Sequence, residues 1–309
     1  MEHRKFGQLL DQLKELTAAQ AEKVVSALHR RGDGDAVRQI IEQRVSEAPK
    51  CPRCGAAHIR RYGVEHGLQR YRCVGCGRTF NALTGTPLAR LRKKECWASF
   101  ANSLRQSHSV RAAARQTGVA KNTSFRWRHR FLRLDKDALK QTLTGIVEVD
   151  ESFVLESRKG ERGLPRDARK RGGKAKKPGL SDEQTPVLIA RDRHGDQLDA
   201  VLPNRTAEAV GAALDGVLAK DDVLLCVDGD TAVIAYAKKH GIEFETIIAS
   251  KGEHVHEKVL HLQNVNAAVS RFKKWLARFN GVASKYLPNY LAWRRRLETG
   301  EIPFAPMPC

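Results

Sequence analysis

The sequence predicts an α/β domain with a mixed sheet in residues 145–300, preceded by three smaller modules. The first observation is that the hydrophobic pattern changes near Ile146, from helical periodicity to short apolar strands. The second is that three predicted strands follow one another there, after which helices and strands alternate. The modules before this domain are a helical segment at 1–48, a Cys-rich module at 49–82 and a helical region at 87–140.

The charge of the chain narrows the classes of partner. It has 55 Lys and Arg residues against 35 Asp and Glu residues, which gives a formal net charge of +20. Such an excess favours a polyanion, most often nucleic acid, over ribosomal, membrane-surface or merely basic proteins. No stretch approaches the roughly 20 apolar residues of a membrane span. The polar N-terminus "MEHRKFGQLLDQL" is not typical of a signal peptide.

The N-terminal segment shows helical periodicity and no strand signal. Leucines from Leu9 to Leu16 predict one helix, and a second apolar set around Val24 and Leu28 predicts another. The stretch "RRGDGD" at 30–35 predicts a break, with a third helix following through Val45. The sequence does not reveal the role of this segment.

Four of the seven cysteines form two CxxC pairs in the Cys-rich module: Cys51, Cys54, Cys73 and Cys76. Two such turns can present four thiolates tetrahedrally to one structural Zn²⁺, with no open position for catalysis. This metal-type pattern fits a reducing cytoplasm better than a disulfide framework. Gly55 and Gly77 follow the pairs, where tight turns often need a positive φ. The arginine- and tyrosine-rich stretch between the pairs is either a nucleic-acid face or an ordinary solvated ribbon.

The helical region at 87–140 contains a helix-turn-helix pattern at 109–133, with Gly118 at the turn. A preceding stretch, "LARLRKKECWASFANSL", predicts the third packing helix. An ordinary helical hairpin with a basic face is the alternative. If the motif binds DNA, its second helix presents these residues to bases and phosphates: Lys121, Asn122, Thr123, Ser124, Arg126, Arg128 and Arg130.

The α/β domain opens with three predicted strands: "GIVEVDESFV", "TPVLIARD" and "QLDAVLP". They are followed by the helix "TAEAVGAALDGVLA", the strand "DVLLCVDG", the helix "TAVIAYAKKHG" and the strand "FETIIA". A basic loop at 157–184 separates the first two strands. It is either a mobile, solvated loop or an arm that contacts phosphates.

Two aspartates are the candidate catalytic residues of this domain. Asp150 and Asp228 each lie at the end of an apolar predicted strand, where ligands gather in open α/β sheets. Two carboxylates from adjacent strand ends can bridge divalent cations for in-line phosphoryl transfer. Taken alone, each aspartate fits a helix N-cap or a surface turn better than a metal site, but together in a basic chain with two DNA-binding modules they favour a metal site. Their neighbours Glu148, Glu151 and Asp230 rank lower.

In this order, the zinc ribbon, the helix-turn-helix, "VEVDES", "VDGD" and "HLQNVNAAVSRFKKWL…YLPNYLAWRR" resemble bacterial insertion-sequence transposases with an ISXO-type catalytic domain. The resemblance covers roughly residues 49–296. It implies a ribonuclease H-like fold whose acidic triad binds two Mg²⁺ or Mn²⁺ ions. Asp150 and Asp228 match the first two positions of that triad, and Asn266 matches the third, where the wider superfamily has glutamate. Lys273 matches a lysine seven residues later.

The resemblance also implies the activity and the partners. The expected reaction is hydrolysis at a transposon end that frees a 3′-OH, followed by strand transfer into target DNA. The partners would be the double-stranded transposon ends and the target, bound by a homodimer or larger oligomer in the bacterial cytoplasm, at the nucleoid. A neutral amide at Asn266 is a weaker ligand than a carboxylate, so Glu253 or Glu257 is a candidate helper. A non-catalytic DNA-binding regulator and a nuclease that does not join strands are the alternatives.

The helix that carries Asn266 is predicted to have one apolar face and one polar face. Val265, Val269, Phe272 and Leu276 form its apolar stripe. A spacing of seven residues places Lys273 nearly beneath Asn266 on one helix face, which suits a metal ligand and a contact to a DNA phosphate. Lys274 and Asn264 point elsewhere, and Asn264 is expected to cap or hydrogen-bond near the helix start.

Overall fold

The chain divides into two compact units, one ending at Phe131 and the other beginning at Leu132. The computed structural model describes residues 3–134, 142–248 and 259–300, apart from 165, 168, 170–171, 177–180 and 182. Within these described residues, no helix is both long and apolar enough to cross a membrane. Each unit is described by itself below.

The first unit begins with two helices, α1 (His3–Lys14) and α2 (Ala18–Glu47). The predicted break at "RRGDGD" is wrong, because α2 continues through it. The physical reason is packing: a Cβ on Gly34 would lie 3.2 Å from the Cβ of Glu95, so a glycine is needed for close approach. Burial of the apolar side chains of the second half of the helix offsets the roughly 1 kcal/mol that each glycine costs there. These side chains are Val37, Ile41 and Val45.

A small antiparallel sheet follows, formed by β1 (Ile59–Glu65), β2 (Leu68–Cys73) and β3 (Thr79–Phe80) in that order. Helix α2 is attached to it through Glu42. The Glu42 carboxylate accepts hydrogen bonds from the Gln69 backbone N–H at 2.9 Å and from the Tyr71 hydroxyl at 3.2 Å. The N-terminal segment therefore supports the Cys-rich module, a role that the sequence did not reveal.

Three further helices complete the first unit: α3 (Trp97–Arg105), α4 (Val110–Thr117) and α5 (Lys121–Phe131). Gly118 ends α4 in the left-handed conformation, with φ of 66°, where the turn was predicted. Edge-to-face contacts among aromatic rings of α3 and α5 form the core of this three-helix arrangement. The rings belong to Trp97, Phe100, Trp127 and Phe131.

The second unit contains a five-stranded mixed sheet. Its strands are β4 (Leu143–Leu155), β5 (Gln184–Asp192), β6 (Gln197–Val201), β7 (Leu218–Val227) and β8 (Glu243–Thr246). The order is β6-β5-β4-β7-β8. The first three strands pair antiparallel, whereas β7 is parallel to both β4 and β8. A central first strand between an antiparallel meander and a parallel pair is the ribonuclease H-like topology, so the predicted fold class is confirmed.

Four helices cover the sheet: α6 (Ala207–Leu214), α7 (Thr231–His240), α8 (Gln263–Ala277) and α9 (Leu287–Thr299). One core joins α6 and α7 to one sheet face, and a second joins α8 and α9 to the opposite face. Helix α6 is shorter than predicted and β7 begins earlier, because Gly216 turns the chain at φ of 76°. The apolar stripe predicted on α8 is confirmed: Val265, Val269 and Phe272 are buried and Leu276 is partly buried in the second core.

Candidate functional site

The two predicted aspartates are brought together by the parallel pairing of β4 and β7. The last residues that pair between these strands are Val149 and Val227. Asp228 therefore directly follows β7, as predicted, whereas Asp150 lies within β4 and not at its end, because β4 continues to Leu155 in its pairing with β5. Neighbouring strands lie about 4.8 Å apart, and alternate residues share a face. Cys226 of β7 and Ile146 of β4 pack in the core under α8, so Asp228 and Asp150, an even number of residues further on, belong to the face that α8 covers.

The electrostatics of this pair favour a bound cation. The pKa of Asp150 is raised from 3.8 to about 6, first by burial and then by the negative charge of Asp228. Lys273 on α8 acts in the opposite direction and lowers the pKa of Asp150. Two carboxylates that repel each other in a partly buried place are stabilised together when a divalent cation lies between them.

Helix α8 brings Lys273 near the aspartate pair, but the role of Asn266 stays a prediction. Both side chains are exposed. The backbone N–H of Asn266 donates to the Leu262 carbonyl at 3.0 Å, and among the described residues its side chain has no hydrogen-bond partner. The amide is thus available to a ligand. The other candidate helpers, Glu253 and Glu257, lie outside the described residues.

Glu148 anchors α8 to the sheet, a role that the sequence analysis underrated. Its side chain is only 1% exposed, and it shares a strand face with Asp150. One oxygen accepts from Asn264 Nδ2 and the other from the Val265 backbone N–H, both at 2.9 Å. Arg193 lies 3.1 Å from the carboxylate and His261 3.4 Å. The hydrogen bond predicted for Asn264 near the helix start is confirmed, and the apolar surroundings of Glu148 in "GIVEVD" were the available signal.

The remaining two acidic neighbours are held by Arg205. Its guanidinium donates to Glu151 at 2.7 Å and to Asp230 at 2.6 Å, and it lies over the Phe153 ring. The other Asp230 oxygen caps α7 by accepting from two backbone N–H groups. Glu151 and Asp230 therefore already have partners, which agrees with their lower rank in the sequence analysis.

The four cysteines of the first unit converge on one point. Their Sγ atoms all lie within 4.8 Å of one another, with separations of 3.8 Å for Cys51–Cys76 and 3.5 Å for Cys54–Cys73. Four Zn–S bonds of about 2.3 Å in a tetrahedron require sulfur separations of about 3.8 Å. Gly55 and Gly77 have φ of 75° and 68°, as predicted for the two turns. This group could hold a metal ion. It is the only cluster of three or more converging His, Cys, Asp or Glu ligands among the described residues.

The predicted DNA-contacting residues of α5 separate into two groups. Lys121, Asn122 and Arg126 are exposed, and Thr123 is half-buried. The other three are engaged inside the unit, and the expectation of a DNA contact is corrected for Ser124 and Arg128, which are 0% exposed. Ser124 donates to the Val110 carbonyl at 3.0 Å, and Arg128 donates to the His108 carbonyl. Half-buried Arg130 donates to the carbonyls of Pro87 and Ala89.

Part of the basic loop at 157–184 is neutralised by nearby acids. Arg158 lies 2.8 Å from Glu156, and Arg169 lies 3.1 Å from Glu183. Several other residues of this loop lie outside the described part of the chain. These pairs leave less unpaired positive charge in the loop than its sequence suggests.

Comparison with known proteins places the second unit in a family. Residues 142–295 match the family described as "ISXO2-like transposase domain". A protein described as "Uncharacterized protein in transposable element ISH50", from Halobacterium salinarum, is 29% identical over 245 residues, which cover 78% of this chain and 82% of the relative.

The solved structures that the chain matches include two whose titles name the Mos1 transpososome or strand transfer complex. "Crystal structure of a pre-cleavage Mos1 transpososome" is 13% identical with a TM-score of 0.22, covering 72% of this chain and 82% of that one. "Crystal structure of the Mos1 Strand Transfer Complex" is 14% identical with a TM-score of 0.23, covering 72% and 81%. Because these TM-scores are low, the fold assignment depends on the strand order described above.

Proposed function

Because residues 142–295 match the ISXO2-like transposase domain and the chain is similar to a protein of a transposable element, we propose that it is an insertion-sequence transposase that cleaves the ends of its own element and joins them to target DNA. The substrate would be double-stranded DNA with terminal inverted repeats. Each reaction would begin with hydrolysis of a phosphodiester bond that frees a 3′-OH, which then attacks a target phosphodiester. The protein would act as a homodimer or larger oligomer, because two ends have to be held together.

One observation carries this proposal: Asp150 and Asp228 come directly after the last residue pair of the parallel β4–β7 pairing, on the face that α8 covers. Carboxylate oxygens are the ligands that Mg²⁺ and Mn²⁺ prefer. When bound there, such ions activate the attacking oxygen and stabilise the leaving oxygen of an in-line displacement.

The side chains around the pair would have separate roles. Asp150 and Asp228 would hold the cations, and the Asn266 amide oxygen would add a neutral ligand from α8. Lys273, whose charge acts on Asp150, would contact the phosphate next to the bond that is cut. Glu148 would fix the start of α8, so that Asn266 and Lys273 keep their positions relative to the sheet.

The first unit would hold the DNA. Helix α5 exposes Lys121, Asn122 and Arg126 at its first turns, with Thr123 beside them, in the manner of the recognition helix of a helix-turn-helix. The fixed turn at Gly118 and the aromatic core support this reading over an ordinary hairpin. The four-cysteine cluster would hold a structural Zn²⁺ that closes the small sheet.

Removal of zinc is expected to unfold the small sheet, because its own core contains little besides the cysteines and Phe80. Metal analysis should find one zinc per chain in the wild type. Cys54→Ser should lower the zinc content well below that value and weaken DNA binding. Cys96→Ser changes a buried cysteine outside the cluster and should retain the zinc content of the wild type. Full zinc content in Cys54→Ser would contradict the four-thiolate site.

The proposed activity is tested with duplexes that carry the inverted repeats flanking the coding region. With Mg²⁺ or Mn²⁺, the wild type should nick these ends to give a 3′-OH and should join pre-cleaved ends to target DNA. Tight binding without cleavage under any divalent metal would instead identify a DNA-binding regulator. Cleavage without joining of pre-cleaved ends would identify a nuclease.

Asn266 is tested by two substitutions. Asn266→Ala should lower cleavage about ten- to hundredfold and raise the metal concentration needed, since one ligand is lost. Asn266→Glu should keep cleavage and lower that metal concentration, because a carboxylate binds a hard cation more strongly. DNA binding without added Mg²⁺ or Mn²⁺ should stay unchanged in both. If Asn266→Ala has the metal dependence of the wild type, the amide is not a ligand.

A further inference from the structure

The first unit contains a large basic cleft that the proposed active site and helix α5 leave unexplained. It has a volume of about 1250 Å³ and lies between the small sheet, the end of α2 and the segment 81–95. Eight Arg and Lys side chains line it, against two glutamates, Glu65 and Glu95. We propose that this cleft binds the sugar–phosphate backbone of the transposon-end DNA, as a second contact beside the exposed face of α5. This inference rests on the proposed function for the identity of the DNA.

Half of the cations in the cleft are free to pair with an anion. Arg53, Arg90, Arg92 and Lys93 are exposed, and their side chains form no hydrogen bond or ion pair within the described part of the chain. The cleft contains too little negative charge to neutralise them, since Glu65 already pairs with Arg70 at 3.3 Å. Clustered cations without partners favour a polyanion, because binding to it releases its counterions.

The cations of the cleft also repel one another, and a bound anion would reduce this electrostatic repulsion. The pKa of Lys94 is lowered, first by burial and then by the positive charge of Arg38. Arg38 already pairs with Asp35 at 2.5 Å, and Lys94 donates to the His66 carbonyl at 3.4 Å. Because the like charges of Arg38 and Lys94 repel each other, this arrangement is stabilised when phosphates enter the cleft.

The backbone of the cleft is held in conformations that ordinary residues rarely adopt. His66, Arg90 and Lys93 have φ of 50°, 62° and 57°, and they are three of the five non-glycine residues with positive φ in the described chain. Such residues persist where the surrounding structure fixes them, often at binding sites. Arg130 at the end of α5 supplies one such restraint, because it donates to the carbonyls of Pro87 and Ala89, next to Arg90. The cleft wall and the proposed recognition helix are therefore attached to each other.

The test compares the full-length wild type with Arg90→Gln/Arg92→Gln, using one duplex with the terminal repeat and one random duplex of equal length. Affinity is measured by fluorescence anisotropy over a range of salt concentrations, without added Mg²⁺ or Mn²⁺. The double variant should lose about tenfold in affinity for both duplexes. The slope of log affinity against log salt should fall by about 0.9 for each phosphate contact removed.

The matched control is Lys238→Gln/Lys239→Gln, which removes the same charge from exposed positions at the end of α7. It should bind both duplexes like the wild type. The proposal is overturned if the cleft variant matches the wild type, if the control loses as much, or if only the terminal-repeat duplex is affected. Unchanged zinc content and circular dichroism exclude misfolding. The test measures DNA binding and no cleavage. A protein that fails to cleave can therefore still confirm the DNA contact of the cleft, and a protein that cleaves can still refute it.

Discussion

Asp228→Asn and Asp150→Asn should each lower metal-dependent cleavage of the transposon end by about a thousandfold or more, equivalent to about 4 kcal/mol of transition-state stabilisation. The physical reason is that each substitution would replace a charged oxygen ligand by a neutral amide, directly after the last residue pair of β4 and β7. Binding of the terminal-repeat duplex by the first unit should stay within a few-fold of the wild type. Gel analysis of nicked product against Mg²⁺ concentration measures the effect.

A second measurement on the same variant checks the arrangement without relying on catalysis. In the metal-free protein the pKa of Asp150 is about 6, and the charge of Asp228 is one cause of this increase. Asp228→Asn removes that charge and should shift the pKa of Asp150 down toward 3.8, which NMR titration of the carboxyl can follow. Asp221→Asn, at an exposed site within β7, is the control and should leave both cleavage and this pKa unchanged. An Asp150 pKa that does not move in Asp228→Asn would show that the carboxylates are too far apart to share a cation.

Glu148→Ala should destabilise the second unit by about 3–5 kcal/mol, because it leaves Arg193 without its buried counter-charge and removes the contact with His261. It also removes the acceptors for Asn264 and for the first turn of α8. Glu148→Gln should cost less, since one acceptor oxygen remains. Hydrogen exchange of the β4 and α8 amides should measure this loss of stability, and the α8 amides should exchange faster than those of the sheet.

The matched control is Glu243→Ala, which removes an exposed carboxylate from the edge strand β8. It should change the free energy of unfolding by no more than about 0.5 kcal/mol. If Glu148→Ala is as mild as this control, the contacts around Glu148 do not stabilise the sheet–helix junction. Cleavage at saturating Mg²⁺ tests whether Glu148 also positions α8 for catalysis. If it does, Glu148→Gln should cleave more slowly than the wild type even though the unit remains folded.

The sequence predicted those parts of the fold whose signal is local. The strands of the second unit are short apolar runs bounded by turn residues, and Gly118 and Gly241 ended helices where expected. The CxxC spacing predicted a converging cysteine group, because the ligands lie within one short module. The order of strands could not be derived from periodicity alone, and it came from the resemblance.

The sequence predictions that were wrong have a common physical cause: whether a residue is buried depends on partners that lie far from it along the chain. The glycines of "RRGDGD" suggested a break, but the contact of Gly34 with Glu95 explains why a glycine lies within the helix. Arg128 appeared to belong to a basic surface, yet it reaches back to the His108 carbonyl and is buried. Glu148 ranked low because its four partners lie near residues 193 and 261–265.

Arg205 has a consequence for the choice of metal ion. Four acidic side chains, Asp150, Glu151, Asp228 and Asp230, occur near the point where the pairing of β4 and β7 stops, enough to supply much of the oxygen shell that Ca²⁺ takes. Arg205 forms ion pairs with one oxygen of Glu151 and one of Asp230, which would make Asp150 and Asp228 the carboxylates most open to a cation. One or two carboxylates, with the rest of the shell left to water and substrate phosphate, is the ligand set typical of Mg²⁺. We therefore expect that Arg205 would limit the number of carboxylate ligands and would favour the smaller ion.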